Sequence, residues 1–254
     1  MATIEVRLTE YGDVEMLRDL YRAEAGCQIV RDSMLRRGLA DPYLILVDGR
    51  VAGYGAVLNK YDTGRISEFY ALPDTRPLSL PMLRAMISAS GATSMQAQTN
   101  MPAMLMLLYD CATRIKQESI LFSDAFTTAL APPGALFRPR APEDPVFEHG
   151  VEPIGDYVIE AEGKVVATGG FLCHYNPPYG DIYMEVEGPS RRKGYGGYLV
   201  QELKRVCYEA GRRPAARCSV DNAASRNTLQ KAGLLPCGRV LAGRIVRKPA
   251  CDED

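Results

Sequence analysis

Apolar and polar positions along the chain change period several times. Residues 5–8 alternate as a strand does, and residues 13–24 carry Val14, Leu17, Leu20 and Tyr21 at helical spacing on one face. Residues 43–47 and 51–58 are strand-like runs around Asp48-Gly49, the pair that favours a type I′ hairpin turn. A strand over 66–72, an apolar helix over 103–111 and a closing strand over 118–126 come next. The second half repeats part of this order. A hairpin turns at Gly163 between 157–160 and 165–175; a strand over 180–186 mixes β-branched, aromatic and acidic residues; a helix covers 198–207 and a short strand 215–220. Between the halves, residues 131–153 hold six of the seventeen prolines, an extended and poorly helical composition. The expected organisation is therefore a first domain at 1–127, a Pro-rich linker at 128–153 and a second domain at 154–254, with the first helices of the second domain absent or very short.

The chemistry concentrates where the strand over 180–186 meets the next helix. Ser190-Arg191-Arg192-Lys193-Gly194-Tyr195-Gly196-Gly197 sets a glycine turn with three cations at a helix start. Without a Cβ the backbone can approach an anion, and successive amides and the helix N-terminus present positive ends to it. This is the pattern of a pyrophosphate cradle. A dinucleotide fingerprint does not fit, because Leu199 stands where its third glycine would fall, and no Gly-Lys-Ser/Thr of a Walker loop is present after it. Further on, Asn222-Ala223-Ala224-Ser225 opens a helix that closes on Lys231-Ala232-Gly233-Leu234.

The Arg-x-x-Gly-x-Gly turn after a strand, then Asn-x-x-Ser and Lys-x-Gly-Leu on a helix, resembles the GNAT acyl-CoA-dependent N-acyltransferases over residues 153–247. The resemblance implies an α/β fold of the α+β kind, with central, mostly antiparallel sheets flanked by helices, and acetyl-CoA or another acyl-CoA as co-substrate, with no metal. It implies that the strand before the turn splays from its neighbour and admits the pantetheine arm beside Met184 and Val186, a small β-augmentation. Arg191, Arg192, Lys193, Gly194, Tyr195, Gly196 and Gly197 would hold the pyrophosphate, and Asn222 and Ser225 would contact the pantetheine and adenine side. Asn222 also reads as a helix N-cap, a compatible role.

Two positions depart from that family. Many members carry a tyrosine acid seven residues after the Asn, where this chain has Leu229; many peptide-directed members carry a glutamate base five residues before it, where this chain has Arg217. A proton must still leave the attacking amine. Asp181 and Glu185 are the candidates for base or water-relay anchor, and Tyr183 and Tyr179 for the acid. His174, Tyr175 and Tyr179, in a proline-stiffened loop, are candidates for lining the acceptor pocket.

The first half lines up with the second when Arg76 is set against Arg191: Ser79 then stands at the place of Gly194 and Pro81 at that of Gly196. Proline has no amide hydrogen, so this copy is expected to be a degenerate GNAT-like domain without a cradle. The expectation is of two tandem domains, only the second binding acyl-CoA. The function so implied is transfer of an acyl group to a primary amine, on a small molecule or a peptide; the alternative is a non-catalytic acyl-CoA sensor or interaction module. Thirty basic residues are matched by 31 acidic ones, which speaks against nucleic acid as a partner. No apolar run approaches a membrane span and residues 1–6 do not read as a signal peptide, so a cytoplasmic protein is expected, with a homo-oligomer left open. Seven cysteines without a Cys-x-x-Cys pair speak against a disulfide framework or zinc site, and Cys173, Cys207 and Cys218 are expected to be buried.

Overall fold

The computed structural model describes residues 2–25, 33–145, 147, 155–173 and 177–246. The chain divides into two compact units: one runs to Glu118 and includes the residues from Arg239 onward, the other spans Ser119–Gly238.

The first unit runs β1 (Ile4–Leu8), α1 (Tyr11–Glu24), α2 (Ser33–Arg36), β2 (Ala40–Val47), β3 (Arg50–Leu58), β4 (Arg65–Ala71), a 3-10 turn (Pro73–Leu78), α3 (Ser79–Ser90), β5 (Ser94–Gln98) and α4 (Pro102–Cys111). Strands β1 to β4 are antiparallel neighbours. The β2–β3 turn takes positive φ at both Asp48 (48°) and Gly49 (74°), as type I′ requires. Helices α1 and α2 cover one face of this sheet, and α3 and α4 cover the other.

On α1, Val14, Leu17 and Tyr21 are buried as expected, but Leu20 is 43% exposed and Arg18 is fully buried. Arg18 comes four residues after Val14 and stands on the same stripe, whereas Leu20 falls off to the side. The guanidinium is held by Glu68 through two 2.9 Å hydrogen bonds, and the Tyr54 hydroxyl donates to the same carboxylate at 2.8 Å. Burial of this charge is tolerable because it is paired and hydrogen-bonded.

The second unit carries β7 (Ala135–Pro139), β8 (Tyr157–Ala161), β9 (Lys164–Leu172), β10 (Tyr179–Val186), a 3-10 turn (Gly188–Ser190), α5 (Tyr195–Glu209), β11 (Arg213–Ser219) and α6 (Ala223–Lys231). Strands β7 to β10 are antiparallel. The β8–β9 turn repeats the type I′ signature, with positive φ at Glu162 and Gly163. No helix precedes α5 among the described residues of this unit.

The remaining strands, β6 (Ala112–Asp124) and β12 (Leu234–Ile245), make the division unlike the one expected at 127 and 153. Strand β6 comes after α4 of the first unit, yet its second part pairs with β11, from Ser119↔Ser219 to Ser123↔Ala215. Strand β12 comes after α6 of the second unit, yet its later part pairs with β5, from Val240↔Gln98 to Arg244↔Ser94. Each unit's sheet thus receives a strand from the other half of the chain. Lys204 fixes the end of β6, donating to the carbonyls of Phe126 (2.7 Å) and Ala232 (2.9 Å).

The proline-rich stretch also differs from the expected linker. Residues 135–139 are a strand pairing with β8, and Arg138 bonds to both Asp144 and Glu160. Pro139 ends the strand at the sheet edge, where a missing amide costs no ladder bond. Cys207 and Cys218 are buried as expected, but Cys173 is exposed, because β9 ends at Leu172. No described helix is long and apolar enough to cross a membrane.

The strand exchange has a measurable consequence. Leu241 is 7% exposed and packs in the first unit's core with Met95 and Leu108. Leu241→Ala should cost about 2–5 kcal/mol, and native-state hydrogen exchange should accelerate at the amides of β5, although β5 lies in the first half of the sequence. Loss of protection confined to β11 would contradict the pairing.

Candidate functional site

The site begins where two parallel strands stop pairing. Strands β10 and β11 are partners from Tyr179↔Arg213 to Ile182↔Ala216. Beyond that pair, β10 continues to Val186 and β11 to Ser219 without bonding to each other. β10 stays attached to β9 as far as Val186↔Ala167, so β11 is the strand that departs. An extended ligand arm can enter a wedge between diverging strands in the manner of an added strand.

The period of two divides β10 between its faces. Ile182, Met184 and Val186 pack in the core under α5, and Asp181, Tyr183 and Glu185 point to the opposite face. Met184 and Val186 are half-buried beside the first turn of α5. A Cβ on Gly196 would lie 3.1 Å from Val186 Cγ2, 3.2 Å from Thr228 Cγ2 and 3.7 Å from Met184 Sδ. Glycine there lets β10, α5 and α6 converge on one narrow gap.

The loop between β10 and α5 has the conformation of an anion cradle. Arg192 has φ of 66° and Gly194, the N-cap of α5, has φ of 91°, so positive-φ residues alternate along Arg191–Gly194, the kind of alternation by which a loop can present successive amides to an anion. Arg191, Arg192 and Lys193 are all exposed around it. Tyr195, Gly196 and Gly197 form the first helical turn, Tyr195 half-buried against the core. Arg191 Nε donates to the Val186 carbonyl at 3.1 Å, tying loop to strand. That oxygen keeps a second lone pair. Glu187 braces the turn beneath by accepting from Ser190 and Lys164, and its carboxyl lies below the usual range because of Lys164 first and Ser190 second.

Asn222 is the N-cap of α6: its Oδ1 accepts from the Ser225 amide at 2.9 Å, and its exposed side chain stays at the surface of that helix start. Ser225 is half-buried next to it. Leu229 is 3% exposed in the core under α6, so this position supplies packing and no acid.

On the opposite face, Asp181 is 6% exposed and 3.5 Å from Arg217 Nε. Burial pushes its carboxyl up to about 6, and Arg217 pulls part of the way back. Tyr183 is half-buried; burial, with Asp156 adding to it, pushes its phenol up to about 12. Its hydroxyl occupies space that a Cβ on Gly170 would take, at 2.7 Å. Glu185 is half-buried two residues on. Tyr183 and Glu185 therefore stand level with the wedge, Asp181 one step before it. Tyr179 lies at the far end of β10, opposite Arg213, and is not brought to the wedge. His174 and Tyr175 lie outside the described residues.

Sequence reasoning missed one wall. Residues 128–132 cross the start of α5, where a Cβ on Gly197 would meet Leu130 at 3.2 Å and one on Gly194 would meet Pro132 at 3.5 Å. Gln201 clamps this strap: its Oε1 accepts from the Leu130 amide (2.6 Å) and the Thr128 hydroxyl (2.8 Å), and its Nε2 donates to the Leu130 carbonyl (3.2 Å). A glutamine on a helix carries no signal of that partner; the only hint is the adjoining proline pair.

The first unit shows the same strand geometry without the cradle. Parallel pairing of β4 with β5 ends after Arg65↔Ser94 and Ile66↔Met95. The 3-10 turn Pro73–Leu78 then runs straight into α3, with Pro81 third in the helix, so no open loop of amides exists. Among the described residues, no three His, Cys, Asp or Glu side chains group as metal ligands.

Residues 123–234 match the family model described as Acetyltransferase (GNAT) family. No curated protein matches the chain in sequence. Among solved structures, the chain is similar to a GNAT-family acetyltransferase from Colwellia psychrerythraea (16% identity, TM-score 0.73, 95% of this chain and 100% of that one). It is also similar to a tandem GNAT protein from the clavulanic acid biosynthesis pathway (14%, 0.64, 97% and 100%) and to a GCN5-related N-acetyltransferase from Sphaerobacter thermophilus (16%, 0.60, 97% and 97%). These likenesses extend over both halves and show a tandem fold.

Burial of Asp181 makes stability pH-dependent. In the unfolded chain it titrates near 3.8, in the folded protein near 6. Below both values the group is protonated in both states and costs nothing. As pH rises through this window the unfolded state loses its proton first, so stability falls, by about 3 kcal/mol once both values are passed. Asp181→Asn lacks this contribution. Its stability relative to the unsubstituted protein should be more favourable at about pH 8 than at about pH 4 by up to that amount in urea unfolding. A difference independent of pH would exclude the raised carboxyl.

Proposed function

Residues 123–234 belong to the GNAT acetyltransferase family, and on that premise we propose that the protein transfers an acyl group, acetyl in the first instance, from acyl-CoA to a primary amine by direct attack in a ternary complex. The observation that carries this reading is the wedge beyond Ile182↔Ala216 with the α5 cradle at its mouth. A thioester arm pairing with β10 there would put the pyrophosphate against the amides of 192–197 and the acyl carbon near Met184, with a β10 backbone amide to polarise its carbonyl.

In the reaction the amine nitrogen forms a bond to the thioester carbon, the C–S bond breaks, and one proton moves from nitrogen to sulfur overall. Asp181 is a carboxylate at neutral pH and can anchor a water that takes the amine's proton; Glu185 stands nearer the wedge for the same work. Tyr183, protonated at neutral pH, is the side chain on β10 able to donate to the departing thiolate. Arg217, beside Asp181, keeps that carboxyl ionised and adds positive charge to the acceptor side. The burial of Leu229 favours a second reading, a non-catalytic acyl-CoA-binding module.

Release of free thiol from acetyl-CoA over a broad amine panel separates the two. Turnover is expected, with a rate that rises toward the acceptor's own pKa; binding without turnover would leave the module. Gly196→Val, which places a branched side chain against Val186 and Thr228, should weaken acetyl-CoA binding about tenfold or more, roughly 1.4 kcal/mol. Glu185→Gln should cost about one to two decades of rate, about 1.4 kcal/mol each. Complete loss of activity with unchanged CoA affinity would make Glu185 the base and overturn the shared relay.

A further inference from the structure

The first unit, which has no cradle, nevertheless holds a cavity of about 260 Å³ where β4 and β5 part. Its lining residues come from both faces of the sheet. Tyr21, Glu24 and Tyr70 line it on the α1 side, and Phe69, Met104 and Leu107 on the α3/α4 side. Its lining on the α3/α4 side is mostly apolar, with Ser79 and Asn100 as polar members, and it carries phenols and a carboxylate on the other. Arg76 stands with Glu24 among the lining residues as its charged pair.

That pair is arranged around one phenol. The Tyr70 hydroxyl donates to Glu24 at 2.6 Å, Arg76 bonds to the same carboxylate, and the Arg76 guanidinium lies 6.0 Å from the centre of the Tyr70 ring. Both charged side chains are close to half-exposed, Arg76 at 44% and Glu24 at 46%. An exposed pair of this kind holds little free energy, and a ligand can open it at small cost. The charge on the ligand then matters. A molecule with a single charge would pair with one partner and leave the other facing a cavity with an apolar wall. A zwitterion satisfies both at once.

Size narrows the choice. The cavity is smaller than the ~300–1,000 Å³ usual for drug-sized ligands, far too small for a nucleotide, and suited to a molecule of about a dozen heavy atoms. We propose that the first unit binds a free α-amino acid with an apolar side chain. The ammonium pairs with Glu24 and the Tyr70 oxygen, the carboxylate with Arg76, and the side chain lies among Phe69, Met104 and Leu107. This proposal does not depend on the acyltransferase reading: the cavity and all of its lining residues belong to the first unit.

Calorimetric titration of the full chain tests it, with L-leucine, L-methionine and L-phenylalanine as probes and no CoA present. Saturable binding of at least one is expected. Its amide, which keeps only the ammonium, its N-acetyl derivative, which keeps only the carboxylate, and glycine, which has no side chain, should each bind about tenfold more weakly or worse. Glu24→Gln and Arg76→Gln, both at half-exposed positions that the fold does not need, should each weaken binding to a similar extent, and Met104→Trp should fill the cavity and abolish it. Gly196→Val should leave binding unchanged. No saturable binding by any of the three, equal binding of a singly charged analogue, or binding that survives both charge substitutions would overturn the proposal. So would binding lost in Gly196→Val, which would assign the amino acid to the second unit. Thiol release reads the acyltransferase separately, so failure of either reading is seen without the other.

Discussion

The structure turns on where parallel pairing stops. Between β10 and β11 it ends at Ile182↔Ala216, between β4 and β5 after Ile66↔Met95. Parallel strands in one sheet need a long crossover, and here each crossover is a helix that starts just past the diverging end of the first strand. Divergence therefore brings three things together at one point: the end of a parallel ladder, a helix start and a gap between side chains. In the second unit, glycine at 196 keeps that gap narrow yet open, with Val186, Thr228 and Met184 all within contact distance of a Cβ that is not there.

The two copies differ in the connection from strand to helix, and the difference is one of backbone chemistry. After β10, four residues with left-handed φ at Arg192 and Gly194 separate the 3-10 turn from α5. After β4, the 3-10 turn passes directly into α3, and Pro81 removes an amide from its first turn. An anion cradle needs amides turned one way by alternating backbone conformation; the second copy has alternating positive φ at Arg192 and Gly194, whereas the first passes from its 3-10 turn directly into a helix with Pro81 in its first turn. The first copy keeps the gap itself, lined now by phenols and an ion pair. Loss of the phosphate-binding loop and retention of the gap are separable because different residues make them.

The local elements are legible in the sequence because their signals are local. Asp48-Gly49 and Gly163 adopt the positive φ that their sequence favours, and Val14, Leu17 and Tyr21 turn inward at helical spacing. The cradle is legible too, since its glycines and cations are contiguous. The strand exchange is not. Nothing in residues 119–124 distinguishes a strand that pairs with β5 from one that pairs with β11, because both neighbours offer the same backbone groups and similar apolar faces. The same limit hides β7 inside a proline-rich stretch, where Pro139 is compatible with an edge strand. The burial of Arg18 carries no local signal because it depends on Glu68, fifty residues away. The strap over α5 depends likewise on Gln201, 71 residues from Leu130.

In the proposed reaction, proton handling falls to one face of β10. A carboxyl far below neutrality accepts a proton weakly, and one far above it is not ionised; Asp181, held near 6 by burial against the pull of Arg217, lies between these limits. The residue that replaces a glutamate base on β11 is thus not simply a lost function. As a cation next to a buried carboxyl, Arg217 keeps that group from rising further and so preserves its ionised form at neutral pH. On the other face, Leu229 fills core under α6 where a tyrosine would have to reach the wedge. Both departures remove a carboxylate or phenol from β11 and α6, leaving the carboxylates and phenol of the candidate site on β10. In the proposed reaction base, relay and acid would come from alternate positions of one strand, Asp181, Glu185 and Tyr183, which the pleat keeps on a common face.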